Sequence, residues 1–181
     1  MAGRAGGLRS TRKLGSAGEL MNWGAQLQTL GVVALAMALG ALIGLEREFA
    51  QKPAGLRTHM LLSGAAAMLI GLVDALLHYF LVPSISPLVR ADPVPVITAV
   101  VTAVGFLGAG TIIRRSNSDQ VEGLTTAASM LFAAAVGVAT GLRQFALAVG
   151  ATLLALVTLR GVGFLEGKIH REPPAGPVSR G

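Results

Sequence analysis

Five long apolar runs, separated by short polar or proline-rich connections, organise this chain. They extend from Leu27 to Leu45, Met60 to Leu81, Val96 to Ile113, Leu124 to Leu142, and Phe145 to about Phe164. The second is interrupted only by Asp74 and His78, and the fifth carries Arg160 near its end. The runs are continuous rather than alternating, which argues against barrel strands. Each is close to the ~20 apolar residues with which a helix crosses a ~30 Å hydrocarbon core. Backbone polar groups in lipid must find partners within their own segment. The pattern therefore predicts an all-α, polytopic transmembrane bundle of about five helices.

The connections refine this layout. Leu81 to Pro95 holds four prolines with Ser84, Ser86 and Asp92, and reads as an extended loop. Only Arg143 and Gln144 separate the fourth and fifth runs, so these helices are antiparallel neighbours, or one broken helix in a four-helix count. Residues 1–20 are polar and small, without an apolar period, and read as a disordered tail; Met1 and Met21 are alternative translation starts. Residues 21–165 form the transmembrane domain. Residues 166–181 read as a disordered cytoplasmic tail, too short to bury a core.

Composition supports lipid as the surrounding medium. Hydrophobic residues make up 52% and charged ones 13%, about half the roughly 25% that a water-facing domain carries. Mean hydropathy is +0.66. The net charge of +6 does not indicate nucleic acid, because the basic residues stand at the ends of apolar runs. Arg47, Lys52, Arg57, Arg114, Arg115, Arg160, Lys168, Arg171 and Arg180 fall on one side. Only Arg90, Arg143 and the tail residues Arg4, Arg9, Arg12 and Lys13 fall on the other. The first side is expected to be cytoplasmic, with the C-terminus inside. Trp23 and Tyr79 then fall at the outer interface. With no cysteine, disulfides and thiolate metal sites are excluded.

Small residues recur every four positions at Ala36, Gly40 and Gly44, and again at Ala133, Gly137 and Gly141. Such faces let backbones approach closely, within one subunit or across a homodimer seam. The third run has Gly105, Gly108 and Gly110, where a bent helix lining a substrate path is the sharper reading.

Two segments hold most of the polar chemistry. Gly44-Leu45-Glu46-Arg47-Glu48 leads to Ala54-Gly55-Leu56-Arg57-Thr58-His59, and Gly105 to Arg115 leads to Val121-Glu122-Gly123-Leu124-Thr125-Thr126. Glu46 and Glu48 end a helix, where the dipole disfavours anions, and need Arg47, Lys52 or Arg57 as compensation. Thr125, Thr126 and Glu122 stand where the fourth helix needs capping. The functional alternative is a site at the cytoplasmic mouth, with Glu46, Glu48 and Glu122 as hard oxygen ligands for hydrated Mg²⁺ and a threonine hydroxyl added. Arg57 and Arg114 argue instead for ion pairs there. Asp74 and His78 share a face of the second helix, as an interfacial pair or as an ion or proton entry site. No catalytic set or nucleotide loop is present, so an enzyme is not expected, and no cofactor beyond Mg²⁺ is implied.

These two segments resemble the MgtC/SapB family of bacterial membrane proteins, whose pattern is close to Gly-Leu-Glu-Arg with Ala-Gly-Leu-Arg-Thr-His/Asn, then Gly-Phe-Leu-Gly-Ala-Gly and Val-x-Gly-Leu-Thr-Thr-Ala-Ala. Here these are Gly44 to Arg47, Ala54 to His59, Gly105 to Gly110 and Val121 to Ala128. The resemblance implies an inner-membrane protein tied to magnesium homeostasis, in a family linked to virulence. One member is thought to restrain the proton-driven ATP synthase, and direct Mg²⁺ transport has been proposed for the family. Longer members carry an ACT-like domain after the last helix; here only Glu166 to Gly181 follow it. Three functions compete: a regulator acting through helix contacts with a membrane complex, an Mg²⁺ transporter, and a structural membrane protein without an ion site. The expected partners are the bilayer, a second copy or a membrane complex, and not nucleic acid.

Overall fold

The structure, a computed structural model, describes residues 23–80, 94–114 and 121–169, with side chains placed outside 78–80, 113–114 and 162–169. Five helices follow one another: α1 (Trp23–Phe49), α2 (Leu56–Phe80), α3 (Val94–Thr111), α4 (Leu124–Gly141) and α5 (Phe145–Ile169). The expected N-terminal tail, residues 170–181 of the expected C-terminal tail and the proline-rich connection from 81 to 93 lie outside the described residues, whereas residues 166–169, expected as the start of that tail, continue α5. Helices α1 to α4 are long and apolar enough to cross a bilayer, and α5 is apolar over the side chains described for it, Phe145–Gly161. The chain is thus an all-α polytopic bundle.

The fourth and fifth runs are separate helices. Helix α4 closes with Gln144 N–H donating to the Ala139 carbonyl and Arg143 N–H to that of Thr140, both at 2.9 Å. Arg143 takes the left-handed conformation (φ 60°) that this double bond requires. Helix α1 ends the same way. Lys52 N–H reaches the Arg47 carbonyl and Gln51 N–H that of Glu48, both at 3.0 Å, with Gln51 at φ 53°. Pro53 then prevents the helix from continuing.

Between α3 and α4 the chain makes a two-rung antiparallel ladder, β1 (Ile113–Arg114) against β2 (Val121–Glu122). This small strand pair was not expected from the continuous apolar runs; it is set in the polar connection, where strand partners replace water.

Helix α2 lies between α1 and α4, and both small-residue faces are turned toward it. A methyl on Gly40 would sit 2.5 Å from the His59 carbonyl oxygen, and one on Gly44 2.7 Å from Leu56 Cα. On the other side, a methyl on Gly141 would sit 2.8 Å from Ile70 Cβ, and one on Gly137 would collide with the Ser63 carbonyl. Lipid offers no hydrophobic drive for such pairing, so backbone-close van der Waals contact supplies it. Two apolar clusters flank α4. Leu39, Ile43, Val136 and Ala148 join it to α1 and α5, and Ala66, Val100, Val104 and Met130 join it to α2 and α3.

Helix α3 runs without a break from Val94 to Thr111, through all three glycines. Gly108 packs on Ala127, whereas Gly105 and Gly110 have open space where a side chain would project. Those two glycines are on the exposed face of α3.

Candidate functional site

Both polar segments meet at one end of the bundle, where α1 ends and α2 and α4 begin. Bringing them together is a consequence of the small faces, which let α1 and α4 close on the first turns of α2. Polar side chains there are buried rather than solvated: Arg47 is 3% exposed, Thr126 2%, Ser129 5% and His59 0%.

A chain of hydrogen bonds links three helices. Arg47 Nη2 donates to Thr126 Oγ1 at 3.3 Å. Ser129, one turn along α4, donates its hydroxyl to the Thr126 carbonyl at 2.8 Å. The His59 ring lies between α2 and α4, with Nδ1 2.9 Å from the Gly55 carbonyl and Nε2 3.0 Å from Ser129 Oγ. Arg47 Nε and Glu46 Oε2 are also buried and have no protein partner among the described residues. Buried ionisable groups at membrane depth face a bundle interior and mark functional positions.

The expected carboxylate site takes a different form. Among the described residues no group of three or more His, Asp or Glu side chains gathers, so Glu46, Glu48 and Glu122 are not drawn together at one point. Glu48 is exposed, and its Oε2 accepts the Leu56 N–H at 2.8 Å, capping α2. That free N–H, rather than Lys52 or Arg57, supplies the compensation its charge needs. Glu122 is exposed in β2, and Glu46 turns one oxygen inward.

Neither Thr125 nor Thr126 takes the N-cap position of α4, and Glu122 stands immediately before it. The N-cap is Gly123, without a side-chain bond. It sits at φ 94°, so close beneath the Thr111 carbonyl that no side chain fits. Thr125 faces outward and Thr126 inward to Arg47. Arg57 is exposed, Thr58 is partly buried, and Gly55 lies against Glu48 Oε2. The Arg114 side chain lies outside the described ones. Ser129, which the motif reading passed over, belongs to the cluster; its signal was a hydroxyl three residues after Thr126 on the same helix face.

At the opposite end, Asp74 lines an open cavity of about 280 Å³ together with Arg143, Thr29, Gly71 and apolar neighbours. The side chain of His78, its expected partner, lies outside the described ones.

A polytopic helical membrane protein with a buried Arg–Thr–Ser–His cluster at one end is the class these observations define. The MgtC family model matches residues 33–168. This chain therefore belongs to the MgtC family. It is 34% identical to the protein SapB of Bacillus subtilis over 151 residues, 83% of this chain and 63% of that one. It is 39% identical to the protein MgtC of Salmonella typhimurium over 123 residues, 67% of this chain and 46% of that one. It is 38% identical to an Escherichia coli protein, YhiD, named as a candidate magnesium transporter, over 71% of this chain and 57% of that one. The chain thus spans about half to three-fifths of the length of the curated relatives it matches. No solved structure matches it.

Proposed function

We propose that the chain is a small regulator tied to magnesium homeostasis, acting through helix contacts with another complex in the bacterial inner membrane. The observation that carries this reading is the outward face of α3. The Gly-Phe-Leu-Gly-Ala-Gly segment through which the chain resembles its family leaves Gly105 and Gly110 open and Phe106 81% exposed. The small faces of α1 and α4, in contrast, are already used against α2. Open glycines beside a projecting aromatic ring form a surface on which a second helix can pack closely. In this reading the polar end faces the cytoplasm, and so does the C-terminus.

The test is a photo-crosslinking residue at position 106 in cells grown with limiting magnesium. A discrete adduct with a membrane protein is expected, weakened by Gly105→Leu. An adduct with a second copy of the chain would make the contact a homodimer. Lipid adducts alone, across repeated trials, would end the regulator reading.

Transport of Mg²⁺ is the second reading, favoured by the name of the Escherichia coli relative. It predicts magnesium flux into proteoliposomes that is lost in Glu48→Gln or Glu122→Gln. No flux above empty liposomes, with folded protein, removes it.

A further inference from the structure

Closing all the bonds around His59 at once takes more protons than a neutral ring can supply. Three hydrogen bonds run in line: Nδ1 to the Gly55 carbonyl, Nε2 to Ser129 Oγ, and Ser129 Oγ to the Thr126 carbonyl. Both ends are carbonyl oxygens, which only accept. Each of the three bonds therefore needs a proton from Nδ1, Nε2 or Oγ. Neutral histidine and serine together hold two such protons; an imidazolium and serine hold three.

We propose that His59 is a proton-operated latch between the first turns of α2 and α4. With the imidazolium, all three bonds close, and the line is tied through Thr126 Oγ1 to Arg47 on α1. With the neutral ring, one bond is given up. Ser129 then turns its hydroxyl to Nε2 and releases the Thr126 carbonyl, while Nδ1–H keeps the Gly55 carbonyl. Only one proton moves, between solvent and the ring, and no covalent bond changes.

The surroundings set what the proton meets. The ring is wholly enclosed, so a charge on it costs desolvation that its hydrogen bonds must offset; on α1 the charged groups that face it are Arg47 and Glu46, of opposite sign. Helices α3 and α4 carry no ionisable side chain, so α4 answers only through the Ser129 and Thr126 hydroxyls. On α2 itself, Arg57 is exposed. Histidine is the side chain whose charge ordinarily changes between pH 5 and 8. The mechanical output is the start of α4, which follows directly from β2 and Gly123 and so connects to α3. A change in the latch is thus delivered to the α3–α4 connection.

The test uses the full chain in lipid nanodiscs with H78Q and H170Q, leaving His59 as its one imidazole. Nitrogen NMR of labelled histidine reports which ring nitrogens carry protons from pH 5 to 8. The expected result is a doubly protonated ring at the acidic end that gives way to a neutral one, with the Thr126 and Ser129 backbone signals moving at the same midpoint. In Ser129→Ala the ring still titrates, but the Thr126 response is lost. A ring held in one protonation state throughout overturns the latch, and this wild-type readout stands even where Ser129→Ala fails to assemble. A Thr126 response that persists in Ser129→Ala overturns it too.

Discussion

Arg47 and Thr126, 79 residues apart, meet inside the bundle, where the guanidinium Nη2 donates to the threonine hydroxyl at 3.3 Å. The arginine is 3% exposed and its Nε has no protein partner among the described residues, so Thr126 Oγ1 is a costly group to remove. Thr126→Val keeps the shape and deletes the acceptor. It should lower stability by about 1–3 kcal/mol, the usual cost of leaving a buried polar group unsatisfied. Thr126→Ser should restore most of the loss. Thermal unfolding in detergent checks both, and equal melting of wild type and Thr126→Val would show that the bond contributes nothing.

The glycines divide into two classes that behave oppositely. Gly137→Ala drives a methyl into the Ser63 backbone, which cannot yield as a flexible side chain would. A loss of about 1–3 kcal/mol or failed assembly is expected. Gly105→Ala and Gly150→Ala meet open space and should leave the melting temperature unchanged or slightly raised, since alanine has the less free unfolded chain. Equal effects at positions 137 and 105 would contradict the packing of α4 on α2.

Gln51 holds a left-handed conformation at φ 53°, which costs an ordinary L-residue roughly 1–2 kcal/mol. Glycine removes that strain but gives back part of the gain through its freer unfolded chain. Gln51→Gly should therefore stabilise the protein by about 0.5–1 kcal/mol, seen as a higher denaturation midpoint. A lower midpoint would mean that the Gln51 side chain itself holds the turn.

Glu48 distinguishes capping from ion handling. Its carboxylate accepts the Leu56 N–H at 2.8 Å, so Glu48→Ala should cost about 1 kcal/mol, and Glu48→Gln, which keeps an acceptor oxygen, less. If capping is its whole role, magnesium-limited growth should follow the stability of each variant. A growth defect in a fully stable Glu48→Gln would instead support an ion site.

Much of the fold was legible in the chain, because lipid leaves an apolar run of about 20 residues only one way to satisfy its backbone. Helix number and order, the close-packing faces of α1 and α4, and the two segments carrying polar chemistry could all be read from Leu27 onward. Local pattern also marked Arg143 and Gln144 as a boundary, although only the left-handed turn at Arg143 decided that α4 and α5 are separate helices.

What tertiary structure alone decided is the destination of each polar side chain. Sequence placed Glu46, Glu48, Glu122 and Thr126 at helix ends, where capping, ion pairing and metal binding all use the same residue types. Packing separated them: Glu48 caps α2, Thr126 turns to Arg47, and His59 is enclosed between Gly55 and Ser129. The apolar pattern is a one-dimensional response to the bilayer and is written in each segment separately. A hydrogen bond between residues 70 or 79 positions apart depends on how three helices rotate and approach, and that is set by contacts no single segment contains.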